Sequence, residues 1–406
     1  MKTVTGGVCA PQGFKASGIH CGVKAGSSPD KKDLAMILSE CECTAAAVYT
    51  MNRVKASPLY VTMEHLEEGT AWGVIANSGN ANACAPHGHE NAEAMCLAAA
   101  VAAQRDPKDF IVASTGVIGQ ALNIGAIQAA MPALVADLSG QGSDAAENAI
   151  MTTDTVPKQT AVELEIGGRT VTIGAICKGS GMIAPNMGTM LCFITTDCAI
   201  THEMLQEALH EVVPKTFNRV TVDGDTSTND MCTVLANGLA GNGQIEWKDE
   251  DYETFRAGLY AVCEAMAKAI AADGEGATKL VACTVSNARS EEAAERLARA
   301  VVGSSLTKAA MFGADANWGR VLCAMGYSKA PFRPEFVDVS FSSAAGTILV
   351  CQEGAGLEFD EDLAKKILTE REVAILVDLH EGRCEATCWG CDLTYDYVKI
   401  NGDYRT

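Results

Sequence analysis

Apolar positions along this chain fall into two periods. Short alternating or continuous apolar runs, bounded by Gly, Pro, Asn and Asp, predict strands at 33–37, 45–50, 72–76, 161–166, 170–177, 280–286, 337–341, 348–352 and 373–379. A further strand starts at Phe110 and runs into a glycine turn at Gly116 to Gly119, and residues 7–24 alternate short apolar pieces with turn residues. Apolar residues at helical spacing predict helices near 91–104, 126–139, 201–213, 252–272, 290–302 and 361–368. Ser290 has the chemistry of a helix N-cap, and Gly274 that of a left-handed helix terminus. Gly167-Gly168-Arg169 joins two strands into a hairpin that leads straight into a loop beginning at Lys178. The pattern continues to the last residue, Thr406, without repeats or linkers. It predicts an α+β fold, with helices layered on largely antiparallel sheets.

The loop beyond the hairpin is the centre of the chain. Lys178-Gly-Ser-Gly-Met-Ile-Ala-Pro-Asn-Met-Gly188 is a glycine-punctuated approach, and a run of strand formers starts at Thr189. Gly188 lets its peptide bond to Thr189 adopt strained geometry, so that Thr189 Oγ reaches the preceding carbonyl carbon. An N→O acyl shift and hydrolysis would leave Thr189 as a new N-terminus with a nucleophilic hydroxyl and a basic amine. Taken alone, a threonine there is what a β-branched strand starter looks like. The hydroxyl of Thr115 and the backbone N–H of Gly116 suit an oxyanion hole, and are equally an ordinary strand-to-loop junction. Two polar segments, Asn77 to Ala83 and Val220 to Asp230, supply further donors, either to a pocket or to their own turns.

The 406 residues are 48% hydrophobic with a net charge of −20, and the mean hydropathy is near zero at +0.08. No basic stripe exists to bind a phosphate backbone, so nucleic acid is not an expected partner. The longest apolar run, Ala94 to Ala103, is too short to span a bilayer. The N-terminus carries no apolar signal core, which makes the cytoplasm the expected compartment. Seventeen cysteines, most within apolar patterns, read as reduced, buried thiols. Two groups have metal-like spacing: Cys384, Cys388 and Cys391, as in some iron–sulfur sites, and Cys84, His87, His89 and Cys96. The first lies in a strand-like stretch and the second in a loop entering a helix, so no metal and no cofactor are expected.

Several long segments combine into a recognisable whole. Asn77 to Cys84, Ser114 to Gly119, Met151 to Thr155, Lys178 to Asp197, Val222 to Asp230, Asn317 to Arg320 and Tyr395 to Asn401 together resemble the ornithine acetyltransferase (glutamate N-acetyltransferase) family of arginine biosynthesis. The likeness covers essentially the whole chain, in order and with matching spacing. It implies a self-cleaving, N-terminal-nucleophile-like enzyme that moves acetyl from N-acetyl-L-ornithine to L-glutamate, with acetyl-CoA as a further donor in some members. It also implies an alpha fragment, 1–188, and a beta fragment, 189–406, forming one catalytic unit, with two copies of each in a heterotetramer. By the family pattern Thr189 is the nucleophile, Gly188-Thr189 the cut, and Thr115 and Gly116 the oxyanion hole. Thr152, Lys178, Thr189, Glu275, Asn401 and Thr406 contact substrate, with Thr153 and Thr155 as neighbouring alternatives to Thr152. Members mostly carry Ala where this chain has Gly188. The competing reading is an aminopeptidase or amidohydrolase on the same self-processing scaffold, with water as the acceptor.

Overall fold

The computed structural model describes residues 1–184 and 190–403. The described residues form two sheets, one of nine strands and one of seven. Six of the eight pairings in the larger sheet and four of the six in the smaller are antiparallel, so the α+β layering and its largely antiparallel character are as expected.

The larger sheet is built on one long strand, Leu34–Tyr49. Its two predicted halves, 33–37 and 45–50, are the two ends of this single element, which carries a register shift between Leu38 and Cys43 against its neighbour Thr70–Asn77. The predicted hairpin forms from Lys158–Ile166 and Arg169–Lys178. Strand Leu191–Thr196 lies between Arg169–Lys178 and Met231–Ala236. Lys178, Leu191, Met231 and Tyr49 consequently stand side by side at one end of the sheet's central strands. Helix Glu250–Ala272 packs its buried side, including Tyr252, Phe255, Leu259 and Met266, against the outer hairpin. Burying four such side chains stabilises the layer by roughly 1.5–3 kcal/mol each, as an upper estimate.

The smaller sheet has Leu280–Ala288 and Glu372–Asp378 as parallel neighbours. Helix Glu291–Gly303 covers it, capped as predicted by Ser290 Oγ, which accepts the Ala293 N–H at 3.1 Å. Five helices absent from the periodic pattern, Ser57–His65, Ser143–Ile150, Ser305–Phe312, Trp318–Gly326 and Tyr395–Asp403, are each two turns or slightly more. Segments that short give a period few repeats, although Glu361–Thr369 shows it through Ala364, Ile367 and Leu368 on one buried face.

One further expectation changes. Gly274 is not a left-handed helix terminus, because the positive φ of +69° belongs to Gly276. At Gly274 a Cβ would meet Cys391 Sγ at 2.7 Å, so glycine is there for close packing. The cysteine groups do not converge: Cys388 belongs to the core of the smaller sheet and Cys391 to that of the larger, while Cys84 is exposed and Cys96 buried. Among the described residues no cluster of His, Cys, Asp or Glu is arranged to hold a metal, and no helix is long and apolar enough to cross a membrane.

Candidate active site

A cavity of about 370 Å³ opens beside Lys178, where the hairpin ends, next to the segments that follow helices Ser143–Ile150 and Glu250–Ala272. Its walls bring together Thr115 and Gly116, Thr152 and Thr153, Lys178, Glu275 and Asn401. These come from five separate parts of the chain. Gly188, Thr189 and Thr406, named from the sequence, lie outside the described residues.

Thr115 follows strand Phe110–Ser114 and is held by its N–H donating to the Asn77 carbonyl at 3.0 Å. Gly116 has φ +131°, and a Cβ there would overlap the Gly79 backbone. Only glycine lets the two segments approach this closely. Behind them Asn229 Nδ2 donates to the carbonyls of Ala81 at 2.6 Å and Ser114 at 2.8 Å, tying the Thr115 loop to the 222–230 segment. The Asn77 to Ala83 stretch mostly satisfies its own turn and the next: Asn80 Nδ2 donates to Gln120 and Ala121, and Asn82 Nδ2 to Gly88.

Lys178 ends the hairpin and is 8% exposed. Its Nζ donates to Thr115 Oγ1 at 3.4 Å. Just behind it is a buried ionic trio absent from the sequence reading. Lys158 Nζ lies 2.8 Å from Asp154 Oδ1 and 2.6 Å from Asp273 Oδ2. Burial alone would raise the Asp154 pKa, but the charges of Lys178 and Lys158 hold it well below the usual carboxylate range. Asp154 then accepts the Gly179 N–H at 2.7 Å and the Thr152 N–H at 3.0 Å. Asp273 accepts both the N–H and the hydroxyl of Thr155. Thr152 and Thr153 therefore face the cavity, and Thr155 is committed elsewhere. The trio leaves little signal in the sequence, because Asp273 is more than a hundred residues from Lys158.

Glu275 is 9% exposed, and its Oε2 accepts from Asn401 Nδ2 at 2.7 Å. Gly181 makes room for this carboxylate, which any Cβ there would overlap. Asn401 belongs to helix Tyr395–Asp403. That helix is fastened beside the site because Gly276 packs 2.6 Å from the Tyr397 nitrogen, counted from an added Cβ, and Thr394 Oγ1 donates to the Gly276 carbonyl at 2.6 Å.

The cavity is of small-molecule size and presents one ammonium, one carboxylate and several hydroxyl and amide donors. That complement fits a zwitterionic ligand, and the class it defines is an enzyme handling a small amino-acid derivative. The ArgJ family model matches residues 15–406. The chain is 53% identical to an arginine biosynthesis bifunctional protein ArgJ of Symbiobacterium thermophilum, covering 100% of both chains. It is 48% identical to one of Clostridium acetobutylicum, over 97% of this chain and 96% of that one. A crystal structure of the Bacillus halodurans ArgJ bifunctional protein aligns at 46% identity and a TM-score of 0.51, covering 53% of this chain and 100% of the solved one. This chain belongs to the ArgJ family.

Proposed function

We propose that this enzyme cuts itself between Gly188 and Thr189, and that Thr189 then carries acetyl from N-acetyl-L-ornithine to L-glutamate. The observation that carries the reading is the single cavity uniting Thr115, Gly116, Lys178, Glu275 and Asn401, the residues that the family resemblance assigns to oxyanion and substrate. The bifunctional name of the Symbiobacterium and Clostridium relatives supports acetyl-CoA as a second donor. Cleavage is supported by the length of the Bacillus halodurans chain, which spans 53% of this one. The fragment 189–406 would hold 218 of the 406 residues, about 54%.

Thr189 Oγ attacks the acetyl carbonyl, and Thr115 Oγ1 with the Gly116 N–H takes up the charge on the tetrahedral oxygen. Lys178 pairs with the substrate α-carboxylate, and Glu275, held by Asn401, with its ammonium. Ornithine leaves, glutamate enters the same subsite, and its amine takes the acetyl group. Glutamate has to outcompete water for the acetyl-enzyme, so exclusion of water belongs to the function. The assembly implied by the family is two copies each of 1–188 and 189–406, with the cytoplasm as its compartment; seventeen free cysteines suit a reducing environment.

Intact mass spectrometry of denatured wild type beside Thr189→Ala tests the reading. Fragments of 188 and 218 residues are expected from the wild type and one uncut chain from the variant. An uncut wild-type chain would sink it. Acetate release from N-acetylornithine at the same rate with and without glutamate would favour the hydrolase instead.

A further inference from the structure

Met182 is a large apolar residue on the wall of a polar cavity, and the acyl-transfer chemistry above gives it no task. Among the described residues lining the cavity, the apolar side chains are those of Ala81, Ile118 and Met182. Ala81 is buried, and Ile118 packs back against Ala56, Ala81 and Ala83. Met182, by contrast, is 39% exposed. Its backbone is also out of the ordinary, with φ +57°, in the left-handed region that few residues with a long side chain adopt. Such a conformation persists only where the surroundings impose it, and residues held this way cluster at ligand clamps.

The constraint is applied from both sides of Met182. Asp223 Oδ2 accepts the Met182 N–H at 2.7 Å, and Oδ1 accepts the Ile183 N–H at 2.8 Å. The Val222 N–H donates to the Ile183 carbonyl at 2.6 Å, and Thr226 Oγ1 to the Ala184 carbonyl at 2.8 Å. On the other side Ser180 Oγ donates to the Asp273 carbonyl at 2.6 Å, while the Ser180 carbonyl accepts the Glu275 N–H at 3.1 Å. Between these anchors Gly181 lies against the Glu275 carboxylate. Met182 is the next residue, its Cα ~3.8 Å from that of Gly181. It therefore stands beside the carboxylate that receives the substrate ammonium.

We propose that Met182, held in its left-handed conformation by Asp223, is the apolar wall against which the substrate's side-chain methylenes lie, and so sets the chain length that the enzyme accepts. The inference rests on the reading above of Lys178 as partner of the α-carboxylate and Glu275 as partner of the ammonium. Those two charges fix the ends of an amino-acid ligand and give the methylenes between them nothing apolar to lie on. Met182 supplies that surface at the Glu275 end, so a longer chain would press against it. Asp223 acts only through Met182, as a positioning residue.

The test compares kcat/KM for N-acetyl-L-ornithine with kcat/KM for Nα-acetyl-L-lysine, whose chain is one methylene longer. It is run on purified wild type, Met182→Ala and Asp223→Asn, with thermal melts to establish folding. Met182→Ala should lower the ornithine-to-lysine ratio ~10-fold or more, the usual weight of one methylene in an apolar site. Asp223→Asn leaves one acceptor for two N–H donors and should move the ratio the same way. A merely structural loss would scale both substrates alike and leave the ratio where it was. The wild-type ratio in a folded Met182→Ala enzyme overturns the proposal. The wild-type ratio in Asp223→Asn, beside a shifted one in Met182→Ala, overturns the positioning role of Asp223. Should Met182→Ala not fold, Met182→Gly decides, because it removes the side chain and the backbone strain together; a wild-type ratio there would overturn the proposal too. A wild type that turns over neither compound fails the underlying reading instead.

Discussion

At the scale of single residues, the cavity wall is held by side-chain hydrogen bonds that reach between segments and by a close backbone approach at Gly116. Lys178 Nζ is near enough to Thr115 Oγ1 to orient that hydroxyl, and Gly116 is a position where no side chain fits. Thr115→Val keeps the shape and removes one oxyanion donor. Its kcat/KM for N-acetylornithine should fall about 10²–10³-fold, or about 2.7–4 kcal/mol, with little change in KM. Steady-state kinetics on mature enzyme checks this, and an unchanged kcat would remove Thr115 from the oxyanion site. Thr115 was legible in the sequence because a hydroxyl next to a glycine at a strand end is a local feature. Asn229 was not, since its value lies in reaching Ala81 and Ser114, more than a hundred residues away in sequence.

At the scale of elements, the hairpin, the turn after Ile150 and the end of helix Glu250–Ala272 are locked together by Asp154, Lys158 and Asp273. Asp273 and Lys158 are 115 residues apart in sequence and 2.6 Å apart in space. Lys158→Met would strand two buried carboxylates and should cost about 3–5 kcal/mol, seen as a lower melting temperature. A variant that melts with the wild type would show that the trio contributes nothing net. The trio also sets an acid limit. The folded-state pKa of Asp154 is depressed, so its stabilisation is fully present above the unfolded value of ~3.9 and drains away as pH falls towards the folded value. The strands and long helices were legible because period-2 and period-3.6 patterns are properties of neighbours in sequence. The joining of two predicted strands into Leu34–Tyr49, and the short helices, depended on packing that no local window contains.

At the scale of the whole molecule, the chain's last helix closes the site that its middle begins. Asn401 touches Glu275, whereas Met1 is 75% exposed. A tag added after Thr406 should therefore reduce kcat/KM at least several-fold more than one placed before Met1; equal activity of the two tagged forms would detach the tail from the pocket. The amino-acid sequence by itself determined the α+β class, most of the elements, the family and the residues with recognisable chemistry at Thr115, Gly116, Lys178, Glu275 and Asn401. Only the tertiary structure decided that these residues share one cavity, that Thr155 is turned away from it to Asp273, and that a buried ionic trio stands behind it. The physical reason is range. Periodicity and motif spacing are written in neighbouring residues, but burial, ion pairing and the room a missing Cβ leaves exist only once distant segments are brought into contact.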